Sequence, residues 1–244
     1  MYLKEIVTSG FKSFADKLDI KLDGKITCIV GPNGSGKTTL LKCINRILHA
    51  REGSVNIGEN DVFKMKYEDV AKNIAYVPQM LKENFSVCVI DVVLMGRTPH
   101  IKWKVGDKDL DIVINVMKKL GIEDLAYENY SSLSGGQRQK VLIARALAQE
   151  TDIYLLDEPI SFLDIKNQIE VMNEARKVAK EENKIVIMVI HDLNMAKRFS
   201  DKIVLMNHGK VVDFGESREV LNCKNIKIVY GVDIDIINDY IIPK

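Results

Sequence analysis

Apolar residues cluster in short runs at Ile26–Val30, Ile153–Leu156 and Ile185–Ile190, each ended by glycine, acidic residues or histidine. Runs this short, with flanking breakers, read as strands buried on both faces of a sheet. Between them the apolar positions fall at helical spacing. Leu40, Leu41, Ile44, Ile47 and Leu48 form one stripe, and Leu110, Val113, Ile114, Met117 and Leu120 form another. Val141, Leu142, Ala144 and Leu147 follow Ser134, and Ile165, Ile169, Met172, Ala175 and Ala179 follow Asp164. Ile203–Met206 and Val211–Phe214 flank Asn207-His208-Gly209, which predicts a hairpin. Strands alternating with helices predict an α/β protein with a mostly parallel core sheet and ligands at the strand carboxyl ends. The stretch from Gln79 to Ser134 is mostly helical in pattern and reads as a lobe inserted into that core. No internal repeat or low-complexity linker is visible.

Three of these elements carry chemistry. Gly31-Pro32-Asn33-Gly34-Ser35-Gly36-Lys37-Thr38 follows the first strand and opens the first helix, the context a phosphate-binding loop requires. Its glycines let the backbone wrap an anion, and the helix N-terminus points N–H groups at it. Lys37 supplies a point charge to the β/γ oxygens, Thr38 a hydroxyl to Mg²⁺, and Thr39 is placed for the α-phosphate. Asp157-Glu158 end an apolar strand, where Asp157 suits the Mg²⁺ shell and Glu158 a general base. Leu133-Ser134-Gly135-Gly136-Gln137 offers a second anion site, a serine-capped helix whose glycines leave N–H groups accessible. His191 follows the Ile185–Ile190 run, where an ordinary loop histidine is equally compatible with its surroundings.

Composition narrows the class. The chain has 244 residues, 46% hydrophobic and 28% charged, with a formal net charge of +1. That suits one large α/β unit and gives no basic balance for nucleic acid. No apolar run approaches the ~18–20 residues of a membrane span, and Met1-Tyr2-Leu3-Lys4-Glu5 holds no secretory core. Cys28, Cys43, Cys88 and Cys223 lie far apart without a C-x-x-C pair, so buried or semi-buried thiols in a reducing cytoplasm are expected.

The order phosphate loop, Leu133–Gln137, Ile153–Glu158 resembles the ATP-binding cassette ATPases over nearly the whole chain. The resemblance implies a single cassette over 1–244 with an N-terminal β subdomain, a helical subdomain at about 85–135 and a C-terminal tail at about 222–244. It implies ATP and Mg²⁺ as cofactors. It assigns Gln79, after Tyr76-Val77-Pro78, to sensing Mg²⁺ and the attacking water, and His191 to the γ-phosphate. Ser134, Gly135, Gly136 and Gln137 would cap the ATP of a second copy, and Ser161-Phe162-Leu163-Asp164 would cross that interface, with Asp164 beside the nucleotide.

From about Gly31 to Gly231 the chain is similar to the ATPase subunits of importers of ferric siderophores, haem or cobalamin. The residues are Phe85-Ser86-Val87, Asp91-Val92-Val93-Leu94-Met95-Gly96-Arg97-Thr98-Pro99-His100, and Ser161 through Gln168. This branch implies a permease dimer docked on the helical lobe around exposed positions near Arg97, and an extracytoplasmic substrate-binding protein acting indirectly. The subunit would then sit in the cytoplasm, peripheral on the inner face of the membrane. The opening, Gly10-Phe11-Lys12-Ser13-Phe14-Ala15-Asp16-Lys17, instead resembles structural-maintenance-of-chromosomes ATPases. By position Phe11, then Phe14, is the candidate adenine contact, with burial in the core the alternative for either. Chromosome-type ATPases insert a long coiled coil between phosphate loop and signature. Here about a hundred residues without heptads intervene, which favours the importer over a soluble ATPase acting on DNA or a protein assembly.

Overall fold

The computed structural model describes residues 5–9, 18–20, 26–50, 52–79 and 86–244. Phe11 and Phe14 lie outside the described residues, as does Phe85. The chain forms two compact units, Met1–Met65 with Ala175–Lys244, and Lys66–Glu174.

The first unit begins with β1 (Glu5–Ser9), β2 (Leu18–Ile20), β3 (Ile26–Val30), α1 (Lys37–Ile44), β4 (Glu52–Ile57) and β5 (Asn60–Asp61). Strands β2-β1-β4-β5 make an antiparallel sheet. Every residue of β3 is buried, as its unbroken apolar pattern requires. The second unit contains α2 (Tyr67–Asn73), β6 (Ile74–Val77), α3 (Val89–Leu94), α4 (Asp107–Lys119), α5 (Gly135–Ala148) and β7 (Ile153–Asp157). There β6 and β7 pair in parallel, with Tyr76 opposite Leu155, and α3, α4 and α5 pack on one another. After α6 (Ile165–Lys180), the first unit is completed by β8 (Ile185–Val189), α7 (Leu193–Phe199), β9 (Lys202–Asn207), β10 (Lys210–Glu216), α8 (Ser217–Val220), α9 (Cys223–Tyr230), β11 (Ile234–Ile237) and β12 (Tyr240–Pro243).

In that unit β3 pairs in parallel with β8 on one side and β9 on the other. The expected hairpin joins β9 to β10. Its turn residues His208 and Gly209 both have positive φ, 46° and 74°, the twist that matches a tight two-residue connection. With parallel pairing in both units and helices between the strands, the α/β class holds.

Helical periodicity misleads at three places. The stripe ending in Ile47 and Leu48 outruns α1, which stops at Ile44. Asn45 caps the helix and Arg46 turns left-handed at φ 55°. Arg46 N then bonds Cys43 O at 3.0 Å and Ile47 N bonds Lys42 O at 2.8 Å, the paired bonds of a Schellman ending. Ile47 and Leu48 are consequently exposed. On α4 the buried face is Val113, Val116 and Met117, leaving Leu110 and Ile114 at its edge. On α6 the buried positions include Val171, Met172, Ala175, Val178 and Ala179, while Ile165 in the first turn is exposed. The stretch read as a C-terminal tail is ordered into α9 and a second hairpin, β11–β12.

Cys28 and Cys43 are buried, and burial pushes both thiols up to about 12, so neither is a nucleophile at neutral pH. Cys88 is half-buried, but Cys223 is exposed, contrary to the expectation for all four. Among the described residues no helix is long and apolar enough to cross a membrane.

Candidate nucleotide site

In the first unit the glycine loop joins β3 to α1. A Cβ on Gly31 would lie 2.2 Å from the carbonyl oxygen of Met206 in β9, so only glycine lets the loop start this close to the sheet. Gly36 caps α1 in the left-handed region at φ 96°, which turns the chain into the helix without a side-chain cap. The first N–H groups of α1 are thereby left to an external acceptor. Gly209 N in the β9–β10 turn bonds Ser35 O at 3.1 Å, bracing the loop from below. Lys37 is buried, and its ammonium donates to Gly31 O at 2.7 Å and Pro32 O at 2.8 Å. Its positive end is therefore held inside the curl of the loop, where phosphate oxygens would compete for it. Ser35 is also buried, Pro32, Thr38 and Thr39 are half-buried, and Asn33 and Gly34 are exposed. His191 is exposed immediately beyond β8, and Ile190 N bonds Ile29 O at 3.2 Å. The parallel β3–β8 pair thus delivers the histidine and the glycine loop at the same strand ends.

In the second unit the acidic pair and the glutamine come together. Asp157 closes the buried strand β7 and is itself buried. Tyr76, on the neighbouring β6, donates its hydroxyl to Asp157 Oδ2 at 3.3 Å. Burial, and next the Asp157 carboxylate, push the Tyr76 phenol well above its ordinary range, so it stays a donor. Glu158 leaves the strand with φ 51°, a left-handed conformation uncommon for a non-glycine residue and costing about 1–3 kcal/mol. Its carboxylate Oε2 accepts from Gln79 Nε2 at 2.6 Å and from Ser161 Oγ at 2.9 Å. Asp157 and Glu158 are neighbours in sequence, yet one is buried under a tyrosine and the other held out beside a glutamine. Among the described residues no cluster of three or more His, Cys, Asp or Glu side chains could hold a metal. Mg²⁺ does not need one, since it keeps waters and takes one or two protein oxygens together with substrate phosphates. The Asp157 carboxylate in one unit and the Thr38 hydroxyl in the other are each hard oxygen donors of that type.

The signature stretch opens α5. Ser134 Oγ accepts from Gln137 N at 3.3 Å and Gln137 Oε1 accepts from Ser134 N at 3.0 Å, a reciprocal capping box. Gln137 is thereby used in its own helix cap, and the N–H groups of Gly135 and Gly136 are the first-turn donors without an intrahelical acceptor. Asp164 Oδ1 accepts from Asn167 N and Nδ2, both at 2.8 Å, at the start of α6. The Asn167 backbone bond chiefly holds this carboxyl below the usual range.

One expectation is corrected. Arg97, read as part of an exposed docking surface, is 4% exposed. Its guanidinium reaches Asp109 Oδ1 at 3.0 Å, Glu150 Oε2 at 2.8 Å and Ala148 O at 2.8 Å. It caps the C-terminus of α5, where a cation is favoured by the exposed carbonyls. Of its neighbours in sequence, Met95, Thr98 and His100 are exposed, Gly96 is buried and Pro99 half-buried. Sequence reasoning also missed Tyr76 and the Ser161–Glu158 bond. Tyr76 carried a usable signal, since it is a polar-tipped aromatic in the apolar run Ile74–Val77 that leads to Gln79. Ser161 carried none, because its bond to Glu158 depends on the left-handed backbone of Glu158 itself.

The sequence profile of the ABC transporter family matches residues 16–161. An uncharacterized ABC transporter ATP-binding protein of Methanocaldococcus jannaschii is 48% identical over 227 residues, covering 93% of this chain and 88% of that protein. The iron(3+)-hydroxamate import ATP-binding protein of Bacillus subtilis is 37% identical over 233 residues, covering 94% and 87%. Among solved structures, an inward-facing transporter described as of metal-chelate ABC type is similar with a TM-score of 0.78 at 31% identity, covering 93% of this chain and 87% of that one. A dimeric ABC transporter cassette follows with a TM-score of 0.77 at 28% identity, covering 88% and 98%.

Proposed function

We propose that this chain, which belongs to the ABC transporter family, is the ATP-hydrolysing subunit of an importer for a metal chelate. As a member of that family it binds ATP and works as a dimer with a membrane permease. The chelate class rests on relatives named for import of iron hydroxamate, petrobactin and cobalamin. The observation that carries the hydrolytic reading is the Glu158 carboxylate, held by Gln79 at the end of a buried strand whose last residue is Asp157.

The roles follow from the chemistry of each group. Lys37 and the loop N–H groups of Gly31–Thr39 hold the polyphosphate. Asp157 and Thr38 are the residues that would hold Mg²⁺, which would supply positive charge against the phosphates. Glu158 takes the proton of the attacking water, Gln79 orients that water, and His191 donates to the γ-phosphate. Ser134, Gly135, Gly136 and Asp164 act on the nucleotide of the second copy, so two chains enclose two ATP molecules. The permease docks on the exposed positions of the helical lobe, and a substrate-binding protein outside the cell delivers the chelate to it. Membrane attachment is then peripheral, through the permease, on the cytoplasmic side.

The test is reconstitution with the permease in vesicles, measuring ATP-dependent uptake of ferric hydroxamates, haem and cobalamin. Uptake of one chelate class is expected. DNA-stimulated ATP hydrolysis with no permease association would overturn the importer reading in favour of a soluble ATPase.

A further inference from the structure

The hairpin β11–β12 is fastened to α7 by side chains that no nucleotide role uses. Asn194 Nδ2 donates to Ile241 O at 3.2 Å, and Asn194 Oδ1 accepts from Ile241 N at 2.8 Å. The amide therefore pairs with both backbone groups of one residue of β12, as a neighbouring strand would. Lys197, three residues further along α7 and on the same face, is buried, and its Nζ lies 2.9 Å from Asp239 Oδ1. Asp239 sits with Asn238 in the hairpin turn, both left-handed at φ 70° and 49°. A third contact, Asp239 Oδ2 to Arg218 at 3.3 Å, ties the same turn to the start of α8. Ile241 and Ile234 are the buried residues of the hairpin, so its packing and its polar contacts act together.

What the clamp holds is the helix that begins right after His191. Asp192 caps α7 by accepting from Asn194 N at 2.8 Å and Met195 N at 3.0 Å. On its other side His191 is fixed by the β8–β3 pairing, through Ile190 N to Ile29 O. A helix of seven residues has little stability of its own. Its orientation, and hence that of the histidine at its head, depends on what it is fastened to. We infer that the C-terminal hairpin is a positioning element for His191, and that Asn194 is the positioning residue through which it acts. The inference rests on the ATPase reading, in which His191 contacts the γ-phosphate.

The experiment is a double-mutant cycle on the full chain, with kcat and KM for Mg-ATP measured below every variant's unfolding temperature. Asn194→Ala is expected to lower kcat roughly tenfold, short of the ~10²-fold that a 1 Å misplacement can cost, with KM within about twofold. In a His191→Ala background the same change is expected to do nothing further, because the group it positions is gone. Asn194→Gln, which keeps donor and acceptor, is expected to recover part of the loss. If Asn194→Ala does not fold, Ile241→Pro removes the N–H from the hairpin side and takes its place in the cycle. Wild-type kcat in Asn194→Ala, or the full loss repeated on top of His191→Ala, would overturn the inference. A wild-type protein that hydrolyses no ATP would instead overturn the functional reading on which it rests.

Discussion

Gln79 Nε2 stands 2.6 Å from Glu158 Oε2, joining residues 79 positions apart in the sequence. Glu158 is the proposed base, and Gln79 is the residue proposed to orient water. A neutral amide donating to a carboxylate makes a short, strong bond. It fixes the carboxylate's direction without adding a charge.

Replacing Glu158 by Gln keeps the size of the side chain but removes its basicity. Steady-state ATP hydrolysis is expected to fall by roughly 10²–10⁴-fold, the range of a general base. ATP affinity should stay near wild type, and an ATP-dependent dimer should accumulate on a sizing column. Turnover at the wild-type rate in Glu158→Gln would remove it as the base.

Ser134→Arg tests the role of the capping box. The substitution removes the oxygen that accepts from Gln137 N, a loss of about 1 kcal/mol in helix stability. It also places a bulky cation where the second copy's nucleotide is proposed to sit. Nucleotide affinity of dilute protein is expected to be unchanged, while turnover stays absent as protein concentration rises. Loss of affinity in the dilute monomer would show that Ser134 serves its own chain's nucleotide.

Arg97→Glu separates stability from docking. The change would set three carboxylates together, since Asp109 and Glu150 both face Arg97. Breaking a fully buried pair costs ~3–5 kcal/mol, and the half-exposed Glu150 reduces that to roughly 2–4 kcal/mol here. A fall in unfolding midpoint is therefore expected in the isolated subunit, with no permease present. An unchanged midpoint together with weakened permease binding would restore Arg97 to the docking surface.

Acid should loosen the hairpin before it unfolds the chain. The Lys197 hydrogen bond chiefly holds the Asp239 carboxyl below its ordinary range. A depressed carboxyl contributes stability that is present above its unfolded pKa of about 3.9 and is lost as pH falls through the lower folded value. Amide hydrogen exchange at Ile241, whose N–H bonds Asn194, is therefore expected to show weakening protection below about pH 4, and Asp239→Asn should bring that loosening to neutral pH. Equal protection in wild type and Asp239→Asn at pH 7 would show that the ion pair does not hold the hairpin.

Features that depend on contiguous residues were legible in the order of the chain. An unbroken apolar run such as Ile185–Val189 can only be buried on both faces, and all five of its residues are. The loop from Gly31 to Thr38 needs its glycines and lysine in fixed order, so the motif and its strand–helix setting were readable together. The His208-Gly209 hairpin was legible for the same reason. Features that depend on residues far apart emerged with the packing of the folded chain. That packing rotated α4 so that Val116 is buried and Ile114 is not. It brought Glu150 to Arg97 across 53 positions, turning an apparent surface arginine into a buried cap. It placed Ile241 on Asn194 across 47 positions, giving an apparent tail a fastening on the helix that follows His191. Periodicity reports that a face will be covered, but not which of two adjacent faces or by what. A polar side chain reveals nothing of its partner until folding has removed the water that would otherwise satisfy it.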